Sequence, residues 1–175
     1  MTEKRAAKIS FKLIICLALS LLVLGPALTA RAEVVNFKQL MPFVDIKIPG
    51  WTMKGKPSGT TMKHGQWKMS EAGAKFKADG KTLKIHILDF MGKANPLNRI
   101  PEIEIESSEE TVRTIEVQGF RALENYHPKK KQGNMSITVA KRFIVQIEAK
   151  GIDNPKVMQE VVKIMDLKKL AGLAK

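Results

Sequence analysis

The sequence predicts an α+β fold: a single antiparallel sheet of about six or seven strands, with a short N-terminal helix and a C-terminal helix packed on one face. Three observations carry this. Between Gln66 and Ala149, short stretches alternate apolar and polar residues, the period of half-buried strands. Tight-turn signals such as Asp79-Gly80 and Gln118-Gly119 separate them, and short turns join antiparallel neighbours. After Asn154-Pro155 the apolar spacing becomes helical.

In chain order, Asn36 is suited to cap a short helix whose Phe37, Leu40 and Met41 share a face, and Pro42 limits it to about two turns. Val44 to Ile48 alternates and predicts a strand that Pro49-Gly50 ends. Lys54 to Gly65, rich in Gly, Pro, Ser, Thr and Lys, predicts an exposed loop. Gln66–Ala78 and Lys81–Phe90 form a hairpin about Asp79-Gly80, with Leu83, Ile85 and Ile87 inward and Lys84 and His86 outward. Met91 to Asn98 predicts a short helix or an irregular loop. Glu102 to Glu106 predicts a charge-guarded edge strand or an extended crossover. Strands follow at Thr111–Val117, Arg121–Tyr126, Met135–Ala140 and Arg142–Ala149, with Pro128 to Asn134 as a turn. The final helix carries Val157, Val161, Val162 and Met165 at helical spacing, and Leu170 and Leu173 extend the stripe.

The first thirty-two residues read as an address. Lys4, Arg5, Lys8 and Lys12 precede the apolar run Leu13 to Leu24; Gly25-Pro26 breaks it, and Ala30-Arg31-Ala32 offers small residues for a signal peptidase. The run has twelve residues, whereas spanning ~30 Å of hydrocarbon takes about 20. The expectation is a signal peptide over 1–32, cleaved between Ala32 and Glu33, and a single domain over 33–175, placed in the periplasm or secreted. Cys16 follows Ile15 inside the run, a poor site for lipidation, and leaves with the signal. The remaining chain then has no thiol, so its core alone must hold it.

Residues 33–175 carry 25 basic and 16 acidic side chains, a balance of +9. The charge is uneven: ten basic and three acidic from Lys47 to Lys93, two and seven from Ile100 to Tyr126, eleven and four from His127 to Lys175. That layout predicts an electrostatically two-faced surface.

A set of landmarks runs through the chain: Pro49-Gly50-Trp51, Ser70-Glu71-Ala72 leading to Phe76, Asp89, Gly119-Phe120, Arg142-Phe143-Ile144-Val145 and Asp166-Leu167-Lys168-Lys169-Leu170. Their order resembles an uncharacterised family of small exported or membrane-anchored bacterial domains. Phe76 stands where that pattern usually has Tyr, and no small-residue helix follows Asp89. The resemblance implies a fold and an envelope location and no activity. The layout is also loosely similar to the PsbP-like α/β sandwiches.

No residue set predicts catalysis, and no cofactor or metal is expected. His64, His86 and His127 lack metal-ligand spacing. Ser70 and Ser136 fall in strand patterns without a nucleophile elbow. Glu102, Glu104, Glu106, Glu109 and Glu110 suit a solvated face better than a carboxylate pair for glycoside hydrolysis. Nucleic acid is disfavoured, because aromatic residues are 6% of the chain, too few for a stacking surface. The basic residues say more. Lys129, Lys130 and Lys131 at a hairpin tip, with Lys75, Lys77 and Lys84 on adjacent arms, predict a face for anionic lipid, lipopolysaccharide or a protein partner, with peripheral membrane contact. Trp51 and Trp67 are candidate pocket residues, Trp51 alternatively plugging the core. The expected function is a non-enzymatic binding module of the cell envelope. The alternative is a carrier of a small apolar molecule or lipid, in a cavity lined by Trp67, Leu83, Ile85, Val145 and Met165.

Overall fold

Two antiparallel meanders meet along one seam in the computed structural model, which describes residues 33–65, 67–91 and 101–174. The first comprises β1 (Thr52–Met53), β2 (Ser58–His64), β3 (Trp67–Ala78) and β4 (Lys81–Asp89). The second comprises β5 (Glu104–Glu106), β6 (Thr111–Val117), β7 (Phe120–His127), β8 (Gln132–Val139) and β9 (Phe143–Lys150). The sheet order is β1-β3-β4-β9-β8-β7-β6-β5, with β2 also on β3, so the last strand made lies at the centre. Along the seam β4 pairs with β9 from Thr82↔Lys150 to Asp89↔Phe143.

Side chains alternate as the strand period requires. Leu83, Ile85 and Ile87 of β4, Met135, Ile137 and Val139 of β8, and Phe143, Val145 and Ile147 of β9 are fully buried on one face. The helices cover that same face. α1 (Phe37–Leu40) continues into a 3₁₀ turn at Met41–Phe43 and buries Leu40 and Phe43. α2 (Lys156–Ile164) inserts Met158, Val161 and Val162, and α3 (Leu167–Gly172) adds Leu167 and Leu170. Met158 seats directly on Gly133, where a Cβ would lie 2.7 Å from its methyl carbon and would push that methyl aside. Every one of these side chains belongs to one core.

Among the described residues the α+β architecture has nine strands rather than six or seven. β2 occupies part of the expected loop from Lys54 to Gly65. Its polar residues mask a ladder with β3 running from Ser58↔Gly73 to His64↔Trp67. Val44 to Ile48, expected as a strand, is not one. Val44 closes the 3₁₀ turn by donating to Met41 O, the chain bends at Asp45, and Val44 and Ile48 are buried directly in the core. The C-terminal helix is two helices. Met165 is extended, with ψ 139°, and Asp166 caps α3 by accepting from Lys169 N at 2.8 Å. The proposed signal segment, its Cys16 and most of the stretch from Met91 to Asn98 lie outside the described residues.

Candidate functional site

The opposite face of the sheet carries no described helix. Its geometry follows from register, because residues directly opposite each other point to the same side. One row crosses the sheet as Lys75 (β3), Lys84 (β4), Glu148 (β9), Asn134 (β8) and Asn125 (β7). The next row reads Lys77, Thr82, Lys150, Gln132 and His127. A third begins at Gly73 and His86 and continues through Gln146, Ser136 and Leu123. Lys75 therefore stands directly opposite Lys84, with Lys77 two residues along on the same side. Glu148 binds Lys84 at 3.0 Å. Lys75 and Lys77 are exposed and have no carboxylate partner among the described residues. Across β8 and β9 lies an open polar groove of about 290 Å³, floored by Gln132, Asn134, Ser136 and Gln146 between Lys150 and His127.

The lysine triplet sits at the β7–β8 tip, with β9 between β8 and the β3–β4 lysines. Two of its members are already neutralised. Lys129 pairs with Glu109, and Lys131 pairs with Asp153 at 2.9 Å. The Lys131–Asp153 hydrogen bond holds the Asp153 carboxyl below its ordinary value and raises the Lys131 ammonium. Lys130 is exposed. The basic surface thus centres on Lys75, Lys77 and Lys150, with Lys84 beside them and paired to Glu148. Lys150 was not singled out by sequence reasoning. Its parity with Gln146 and Glu148 gives its face, but only the pairing of β9 with β4 brings it near Lys77.

The other candidates separate. His64 ends β2, His86 on β4 bonds Glu71 at 2.8 Å, and His127 on β7 stands 3.6 Å from Glu110. Among the described residues no three His, Asp or Glu side chains are grouped to hold a metal ion. Ser70 is buried and shares a 2.8 Å hydrogen bond with Thr61, a structural contact between β3 and β2. Trp51 is half-buried. It packs on the core and lines an apolar cleft of about 470 Å³ against Val157, Val161 and Ile164 of α2. The side chain of Trp67 lies outside the description. Leu83, Ile85, Val145 and Met165, the other walls of the carrier cavity, are packed into the core.

Two buried carboxylates were missed. Glu124, 1% exposed, accepts from Arg113 Nε at 2.7 Å and from Gln159 Nε2 of α2 at 2.8 Å. Asp89, fully buried, accepts from Arg142 Nε at 3.0 Å and from its Nη2 at 2.8 Å. Asp89 also accepts from Val35 N at 2.6 Å, and Arg142 donates to the Glu33 carbonyl. These groups fasten the N-terminal stretch to the end of the seam. Asp89 and Arg142 are two of the sequence landmarks, and their opposite charges were the available signal.

No protein-family model matches the chain, and no curated protein matches it. One solved structure, of an uncharacterized protein from Mycobacterium smegmatis, is similar at 9% identity and a TM-score of 0.36, covering 73% of this chain and 90% of that one. A likeness at that level carries no functional argument.

Proposed function

We propose that the chain is an exported, non-enzymatic binding module that presents its uncovered sheet face to the anionic headgroups of an envelope lipid surface. The observation that carries this reading is the direct opposition of Lys75 and Lys84, extended by Lys77 and Lys150. Like charges facing each other across two strands are destabilising. Glu148 offsets Lys84 at 3.0 Å, which leaves Lys75 and Lys77 exposed without a carboxylate of their own and open to an anionic partner. The exported location rests on the positive start, the short apolar run and the Ala30-Arg31-Ala32 site.

Each lysine near an anionic bilayer contributes about 1 kcal/mol. Removing two therefore weakens binding by about 2 kcal/mol, or roughly thirtyfold. The test is sedimentation with vesicles containing phosphatidylglycerol or lipopolysaccharide, against purely zwitterionic vesicles. The wild-type chain binds the anionic vesicles at low salt and is released as salt screens the charges. The Lys75→Gln/Lys77→Gln variant binds at least tenfold more weakly and keeps its fold. Equal binding by the variant, or no preference for anionic vesicles, overturns the reading. N-terminal sequencing of the processed protein checks export, with Glu33 as the expected first residue.

A further inference from the structure

We infer that the two edges of the sheet are complementary docking surfaces for a second copy of this chain, β2 of one copy pairing with β5 of the next. Each edge bears one of the few large apolar side chains left in solvent. Met62 on β2 is 55% exposed and Ile105 on β5 is 50% exposed. Met62 lies opposite Met69 and Ile105 opposite Val112, which places both on the uncovered face. Among the described residues no strand pairs with the free side of either edge.

The backbone of both edges is open in a matching phase. Ile103 O accepts from Thr114 N, and Ser107 N donates to Glu110 O. Antiparallel pairing alternates, so the peptide groups of Ile105 turn toward β6 and those of Glu104 and Glu106 turn outward. Lys75 O accepts from Lys54 N, so the groups of the odd-numbered β3 residues, Trp67 included, turn toward β1 and β2, and the register sets His64 against Trp67. The same alternation turns the groups of Thr61 and Lys63 outward. Setting Met62 against Ile105 then puts Lys63 against Glu104 and Thr61 against Glu106, each pair on one face and each outward group meeting another.

Direction agrees as well. From β2 through β3, β4, β9, β8, β7 and β6 to β5, every neighbour is antiparallel, and the path holds eight strands. An even path makes β2 and β5 run in opposite directions. A copy placed beside the first in the same orientation therefore continues the antiparallel alternation, with the uncovered faces on one side. Charge selects this arrangement. The β2–β3 side carries Lys56, Lys63, Lys68, Lys75 and Lys77 against Glu71 and the Glu33 that Lys63 and Lys68 bind, and the β5–β6 side carries Glu102, Glu104, Glu106 and Glu116 against Arg113, so the first edge stays net positive and the second net negative. Like edges repel each other and unlike edges attract, so the contact is head-to-tail.

The test uses the full-length chain as the cell processes it, followed by sedimentation equilibrium at low and high salt. The wild-type mass rises with concentration past that of a dimer at low salt, and the rise weakens at high salt. Met62→Lys and Ile105→Lys each charge an exposed position and retain the wild-type melting curve. Each variant alone is monomeric, with self-association weakened at least tenfold. Mixed in equal amounts they form a dimer and stop there, because one supplies an intact β5 and the other an intact β2. A wild-type chain that stays monomeric, a variant that still associates alone, or a mixture that stays monomeric overturns the inference.

Discussion

Asp89 receives four hydrogen bonds, from Arg142 Nε and Nη2 and from the backbone of Val35 and Met91. Arg142 is only slightly exposed and also lies over the Phe143 ring, 5.4 Å from its centroid. Removing one charge leaves the other unpaired and poorly solvated. Asp89→Ala is therefore expected to destabilise the fold by about 3–5 kcal/mol in urea unfolding. The Asp89→Leu/Arg142→Met double variant should lose less than the sum of its two single losses. A gentler effect belongs to Glu33. Lys68 at 3.1 Å, with Lys63, holds its exposed carboxyl below the ordinary value of 4.5. A depressed carboxyl stabilises the fold above its unfolded pKa and loses that contribution as pH falls through the folded one. The carboxyl carbon of Glu33, followed by NMR, should titrate below 4.5 and move up toward it in Lys68→Gln.

At the scale of elements, two turns show what tertiary structure imposes. The β8–β9 turn places Ala140 at φ 51° and Lys141 at φ 56°, a left-handed pair that non-glycine residues adopt at a cost of about 1 kcal/mol each. The Ala140→Asn/Lys141→Gly variant supplies the preferred turn residues. It should gain about 1 kcal/mol and raise Tm by about 3 °C. At the β6–β7 turn Gln118 bonds the carbonyls of Val162 and Met165 at 2.6 and 2.7 Å, closing the end of α2. Gln118→Ala removes both bonds and is expected to cost about 1–2 kcal/mol by thermal melting. The Asp79-Gly80 hairpin and the inward faces of β4, β8 and β9 were legible, because strict alternation and a strong turn signal coincide there. β2 was not. Its Ser, Thr and Lys residues match a loop in composition, and only the length of β3 gives them a partner. The α2–α3 break was also hidden, since Val161, Met165 and Leu170 keep nearly helical spacing across it.

For the molecule as a whole, the sheet order lay beyond sequence reasoning. Local turns join β2 to β3, β3 to β4, and β5 to β9 in turn, but nothing local pairs β4 with β9. That seam matches Ile85 with Ile147 and Ile87 with Val145 only after both meanders exist. The same pairing adds Lys150 to Lys75, Lys77 and Lys84, which the β3–β4 hairpin already holds together. The basic–acidic–basic charge layout and the hairpin lysines were therefore legible, while the addition of Lys150 and the pairing of Lys129 and Lys131 with Glu109 and Asp153 were not. Long-range pairing also slows folding. Refolding by stopped flow should fall in the millisecond-to-second range of sheet proteins rather than the faster range of helical bundles, and a seam substitution such as Ile147→Ala should cost about 2–5 kcal/mol.

The fastening of the N-terminal stretch has a consequence for the order in which the chain is made. Val35 waits for Asp89, 54 residues later, and the Glu33 carbonyl waits for Arg142, 109 residues later. The first residues of the domain to leave the ribosome are thus among the last to be secured. Until the β8–β9 turn has been synthesised, the leading end stays accessible to whatever handles nascent chains, and its closure coincides with completion of the sheet.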